Sequence, residues 1–189
     1  MTNTLVRMGA ESILLQDFDI VKEENVAPSF FSTRDVKAPK THAVRDRIYS
    51  DFGFYINISE EAYSRQIRDV DIVIITVDSL NMRRTIWNNH RITYRLWIDA
   101  RMGFDQVGVY SHLFGAPVDT YELTLSRPGE PLPCGQKATA PLSIGLVPGL
   151  VGTVVMRYLR ELPIPSEIFA KVLMDDMFVS FGKTLEVNQ

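Results

Sequence analysis

The stretch Val70-Asp71-Ile72-Val73-Ile74-Ile75-Thr76-Val77 decides the architecture of this chain. A continuous Val/Ile run bounded by charges suits a strand buried on both faces, as in a parallel sheet covered by helices. Working outward, Asp78-Ser79 offers an N-cap for a helix to about Asn89, and Leu96-Trp97-Ile98-Asp99 reads as a further strand. Upstream, Phe54 to Ile58 is β-rich and Glu60 to Arg68 is polar and helix-compatible. Pro39-Lys40 opens a helix to about Tyr49, with Ala43, Val44, Arg47 and Ile48 at helical spacing and the proline where a first turn tolerates it. Ser12 to Leu15 is a short apolar run closing in Gln16-Asp17-Phe18-Asp19.

The pattern changes after Asp99. Gln106 to Leu113 and Thr120 to Leu125 read as antiparallel strands joined by the turn-rich Phe114-Gly115-Ala116-Pro117. A Pro- and Gly-rich loop, Arg127 to Gly135, leads into Ala138 to Met156, 19 residues without a charge. Five Pro and Gly residues interrupt that stretch, so it reads as a buried helix and not a membrane span. Ile168 to Phe181 supplies a short helix and an edge strand. The expectation is one α/β domain over residues 1–189, with an antiparallel extension in its second half.

Composition sets the outer limits. A net charge of -3 over 189 residues argues against a non-specific nucleic-acid binder. One cysteine, Cys134, excludes an internal disulfide framework, and His42, His90 and His112 have no metal-ligand spacing. No signal-peptide pattern opens the chain, and the expected setting is the cytoplasm. Trp87, Trp97 and Tyr94 read as core or interface aromatics, since no basic stripe accompanies them.

In doubly wound sheets ligands sit at the carboxyl ends of strands, and Asp17, Asp78 and Asp99 occupy such ends here. The same residue types also serve as solvated turn acids or helix caps, and spacing alone does not separate the two roles. The wider segments carry more. Ile13 to Val21 followed by Glu24-Asn25-Val26, Pro39-Lys40, Asp71 to Asp78 with Arg83, and Trp97-Ile98-Asp99-Ala100-Arg101-Met102-Gly103 stand in this order before Pro133-Cys134-Gly135 and Ala138-Thr139. Together they resemble the ThiF/HesA/MoeB superfamily, relatives of the ubiquitin-activating enzymes, over roughly Arg7 to Arg160.

The resemblance implies a Rossmann-like, mostly parallel sheet flanked by helices, with residues 1–104 a partial nucleotide-binding half. Residues 105–189 would then hold the antiparallel strands, the apolar helix and the tail. It implies ATP-dependent adenylation of the C-terminus of a ubiquitin-like or sulfur-carrier protein. Asp17, Asp19, Asn25, Lys40 and Asp78 would bind ATP, with Asp78 on magnesium; Arg83 and Cys134 would take catalytic roles, and Arg84 would be solvated. The partner would be the carrier, beside a homodimer mate or a second chain supplying a nucleotide-binding unit.

Two departures qualify this. The family's Gly-rich loop of G-x-G-x-x-G type is missing before Asp17, so the chain reads as shortened by one βα unit, and Met1 to Gly9 as the tail of the first helix. Pro28-Ser29 stands where many members carry Arg-Gln. A non-catalytic subunit that pairs with an activating enzyme or carrier is therefore the rival reading. An NAD-dependent oxidoreductase on the same type of sheet is a third.

Overall fold

A short parallel pair opens the molecule. In the computed structural model, which describes residues 1–63, 70–91, 93–103, 106–126, 141–171 and 178–187, β1 (Leu14–Gln16) lies parallel to β2 (Asn57–Ser59). The chain divides into two compact units, taken separately below: Met1–Ser64 with Gly135–Pro148, and Arg65–Cys134 with Gly149–Gln189.

In the first unit, α1 (Thr2–Arg7) and α2 (Lys40–Phe52) pack together, and α2 packs on β2. Within residues 1–9, read from the sequence as the tail of a helix, Thr2–Arg7 is helical. Val44, Ile48 and Phe52 recur every four residues along α2, the spacing that gathers apolar side chains on one face. Fully buried Ile48 meets Val6 and Ile56 in a core completed by Ile13, Leu15 and Phe54. Gly53, at φ 80°, ends α2 in the left-handed conformation that glycine reaches without penalty.

Five strands form the sheet of the second unit, in the order β3 (Ile72–Ile75), β4 (Leu96–Met102), β5 (Gln106–Leu113), β7 (Glu167–Lys171), β8 (Phe178–Phe181). β3 and β4 are parallel; the ladders from β4 outward are antiparallel, so the extension expected of the second half is present. A small antiparallel pair joins β6 (Ile164–Pro165) to β9 (Thr184–Leu185). α3 (Leu80–His90) follows β3, capped by Ser79, whose Oγ accepts from Met82 N at 3.3 Å. α5 (Val147–Leu159) continues a π-helical turn at Pro141–Leu146 and buries Val151, Val154 and Val155. No helix among the described residues is long and apolar enough to cross a membrane.

Three expectations need correction. Thr120 to Leu125 is not a strand but lies within α4 (Asp119–Ser126), because Tyr121, Thr124 and Leu125 are buried at helical spacing while Leu123 is 66% exposed. Asp99 does not end its strand, since β4 runs on to Met102. Ile168 to Phe181 begins with strand β7, not a helix, because Ile168 and Ala170 alternate inward at a strand's period of two.

Candidate functional site

In the first unit, the segment after β1 is pinned against the entry to α2. Lys37 N donates to Val21 O and Val21 N to Ala38 O, both at 2.8 Å, and Lys40 N donates to Asp19 O at 2.9 Å. Ile20 bridges Pro39 antiparallel within this ladder. Two residues 21 positions apart are thereby fixed face to face: Lys40 Nζ stands 2.7 Å from Asp19 Oδ2 and 4.0 Å from Asp17 Oδ2. Asp19 N donates to Asp17 Oδ1 at 2.9 Å, which ties the two acids into one turn. The Lys40 side chain is 22% exposed and that of Asp19 53%, so the pair is wet and worth about 0–1 kcal/mol. An arriving anion can exchange for Asp19 at little expense.

Lys40 also opens α2, whose N-cap Pro39 supplies no side-chain cap. Of the first-turn amides, that of Lys40 donates to Asp19 O, while those of Thr41 and His42 have no side-chain cap and keep the partial positive charge that favours anions. A lysine is unfavourable against such an end, and an acid or a phosphate offsets both charges. Next in sequence, Thr41 is fully buried, and its hydroxyl has no hydrogen-bond partner among the described residues.

Asn25 stands in a 3-10 turn, Glu23–Asn25, where Oδ1 accepts from Lys22 N at 3.0 Å and the carbonyl accepts from the Ser29 hydroxyl. It shapes the loop between Val21 and Lys37. That loop encloses an open cleft of about 570 Å³ lined by Glu23, Val26, Ala27, Thr33, Val36 and Lys37. Lys37 holds φ 77°, a conformation a residue with Cβ adopts only when its surroundings dictate it, here through the bond to Val21 O.

Asp78 and Arg83 belong to the second unit. Asp78 is exposed in the segment between β3 and α3. Arg83, on the first turn of α3, is 6% exposed and ion-paired to Asp99, which is 0% exposed. Asp99 pairs in register with Ile75, the last residue of β3. Its Oδ2 also accepts from Arg101 Nε and from the Tyr121 hydroxyl, each at 2.9 Å. Arg101 further donates to Thr124 O at 3.0 Å and Thr124 Oγ1 at 2.9 Å, and its guanidinium lies 4.4 Å from the Tyr110 ring centre. Burial raises the Tyr121 hydroxyl's pKa, partly offset by Trp97 and the two arginines, so it stays protonated and donates. Arg84, expected in solvent, donates to Leu125 O at the end of α4. Cys134 lies outside the described residues.

Arg101, Tyr121 and Thr124 were not singled out from the sequence. The available signal was the pair of charges Asp99 and Arg101 inside an otherwise apolar strand, which demands mutual neutralisation. Beside this network, His112 Nε2 meets Ala116 O and Nδ1 meets the Tyr94 hydroxyl, both at 3.1 Å. A carbonyl only accepts, so Nε2 carries the proton and Nδ1 accepts from Tyr94. Burial lowers the His112 pKa more than the carbonyls of Ala116 and Pro117 and the charge of Glu122 raise it. No cluster of three or more His, Cys, Asp or Glu residues that could hold a metal occurs among the described residues.

The parallel pairs, the flanking helices and the antiparallel strands make up a mixed α/β fold. A profile of the ThiF family matches residues 1–167, and the chain belongs to that family. Solved structures agree on the fold. E. coli MccB bound to MccA is similar with TM-score 0.70 and 14% identity, over 99% of this chain and 61% of that one. E. coli MccB with ATP gives TM-score 0.68 and 12% identity, over 97% and 59%. PaaA gives TM-score 0.60 and 14% identity, over 92% and 64%. The chain therefore spans about three fifths of the length of these structures. No curated protein matches it.

Proposed function

We propose that this chain binds ATP and belongs to an adenylating system that activates the C-terminal carboxylate of a ubiquitin-like or sulfur-carrier protein. The observation that carries the reading is Lys40, held at the uncapped start of α2 between two acids by a backbone ladder. Lys40 takes the phosphates, and Asp17 and Asp19 take ribose hydroxyls or metal. Asn25 supports the loop beside them, and Asp78 takes magnesium. When bound, magnesium neutralises phosphate charge. In the reaction a carboxylate oxygen of the carrier bonds to the α-phosphorus while the bond to the pyrophosphate oxygen breaks, giving acyl-adenylate and pyrophosphate. Arg83 would steady developing charge, and the Cys134 thiolate would attack the acyl carbon of the adenylate, forming a thioester as the bond to the phosphate oxygen breaks and AMP leaves.

One observation favours a second reading, a non-catalytic subunit that pairs with an activating enzyme or carrier. Arg83 is buried and already neutralised by Asp99, so reaching a substrate means breaking that pair. Both readings set the chain in the cytoplasm as a homodimer or beside a second chain. β1 and β2 pair only with each other among the described residues, and open strand edges of that kind invite a neighbour.

Calorimetric titration of ATP with magnesium into the purified chain, with NAD as control, separates the possibilities. Saturable ATP binding is expected. A folded sample that ignores ATP sinks the adenylating role and leaves the non-catalytic subunit; binding of NAD instead points to the oxidoreductase.

A further inference from the structure

Thr41 poses a problem that packing does not solve. Its side chain is 0% exposed, and its hydroxyl has neither donor nor acceptor partner among the described residues. A buried hydroxyl without a partner is destabilising, and valine fills the same space without that penalty. Position supplies the explanation. Thr41 is the second residue of α2, beside Lys40, on a helix whose first turn no side chain caps. Helical Cα–Cβ bonds tilt toward the N-terminus, so this hydroxyl leans to the same end as the lysine and the amides of the first turn that no side chain caps.

We infer that the Thr41 hydroxyl is a further ligand for the phosphate-bearing molecule that Lys40 receives, donating its proton to an anionic phosphoryl oxygen at the start of α2. This rests on the nucleotide reading above and deepens it. Lys40 supplies the charge, the first-turn amides supply directed dipoles, and Thr41 supplies a short neutral donor. The hydroxyl is covered in this structure, so donation to a phosphoryl oxygen requires the start of α2 to open toward the arriving phosphate.

The test compares the full chain with Thr41→Val and Thr41→Ser, measuring thermal midpoint and calorimetric affinity for magnesium-ATP and for inorganic pyrophosphate. Thr41→Val is expected to melt no lower than the parent while binding both ligands about tenfold more weakly, the size of a hydrogen bond to a charged group. Thr41→Ser keeps the hydroxyl and is expected to restore affinity to within about threefold of the parent. If Thr41→Val binds as the parent does while Lys40→Ala weakens binding, the inference falls and the nucleotide reading stands. If the folded parent binds neither ATP nor pyrophosphate, both fall together.

Discussion

Two sets of opposite charges in this chain carry the same chemistry and have opposite surroundings. Lys40, Asp17 and Asp19 meet at a wet surface of the first unit, where the ion pair stabilises little and exchanges readily. Arg83, Arg101 and Asp99 meet in the interior of the second unit, with Asp99 entirely covered and accepting three partners. A buried carboxylate so bound cannot lose one partner without stranding another charge in a low-dielectric setting. Exposure, more than residue type, therefore separates the charges proposed to receive a ligand from those that hold the scaffold.

Breaking the buried set is the strongest challenge to this contrast. Asp99→Asn leaves two arginines short of a counter-charge and is expected to lower unfolding free energy by about 3–5 kcal/mol in chemical denaturation. A loss under about 1 kcal/mol would mean that the network is not the scaffold described here. On the wet side, Lys40→Ala is expected to change stability by less than about 1 kcal/mol while weakening ATP roughly ten- to a hundredfold by calorimetry.

Much of this fold was legible because its signals are local. The Val70 to Val77 run gave a parallel strand at Ile72–Ile75, although not one buried on both faces: β3 ends the strand order among the described residues and only Ile75 is buried; Ser79 and Pro39-Lys40 marked helix starts that are present. Thr120 to Leu125 misled because Tyr121, Leu123 and Leu125 alternate as a strand would, although Leu123 faces solvent from a helix. Asp99 misled for a different reason. An acid four residues into a strand looks like a strand end until Arg83 and Tyr121 bind it from distant parts of the chain, partners that leave no periodic trace; Arg101, two residues on, was the one local sign. The approach of Lys40 to Asp19 also depends on a ladder between residues 19–21 and 37–40 that no short pattern announces; only the resemblance of the motifs pointed there.

Smaller effects sharpen the picture of the second unit. Ser79→Ala removes the oxygen that accepts from Met82 N and is expected to cost about 1 kcal/mol of stability, measured by thermal melting, with the sheet intact by circular dichroism. Histidine titration adds a pH signature. Burial lowers the pKa of both His112 and His90 below the ordinary 6.5, so the folded state holds them neutral while the unfolded chain protonates them. The unfolded state then binds more protons below about pH 6.5, and stability is expected to rise with pH up to that point and level off above it. His112→Gln should flatten part of this slope in denaturation curves taken from pH 5 to pH 8. An unchanged slope would assign the effect elsewhere.

The measurement that bears most directly on the contrast pairs two readouts on three proteins. ATP affinity and unfolding free energy would be determined for the parent chain, Lys40→Ala and Asp99→Asn, the affinity at a temperature where all three are folded. The account predicts that Lys40→Ala loses affinity and keeps stability, whereas Asp99→Asn loses stability and keeps its affinity for ATP. Equal affinity in the parent and Lys40→Ala, or loss of stability in Lys40→Ala as large as in Asp99→Asn, would contradict it.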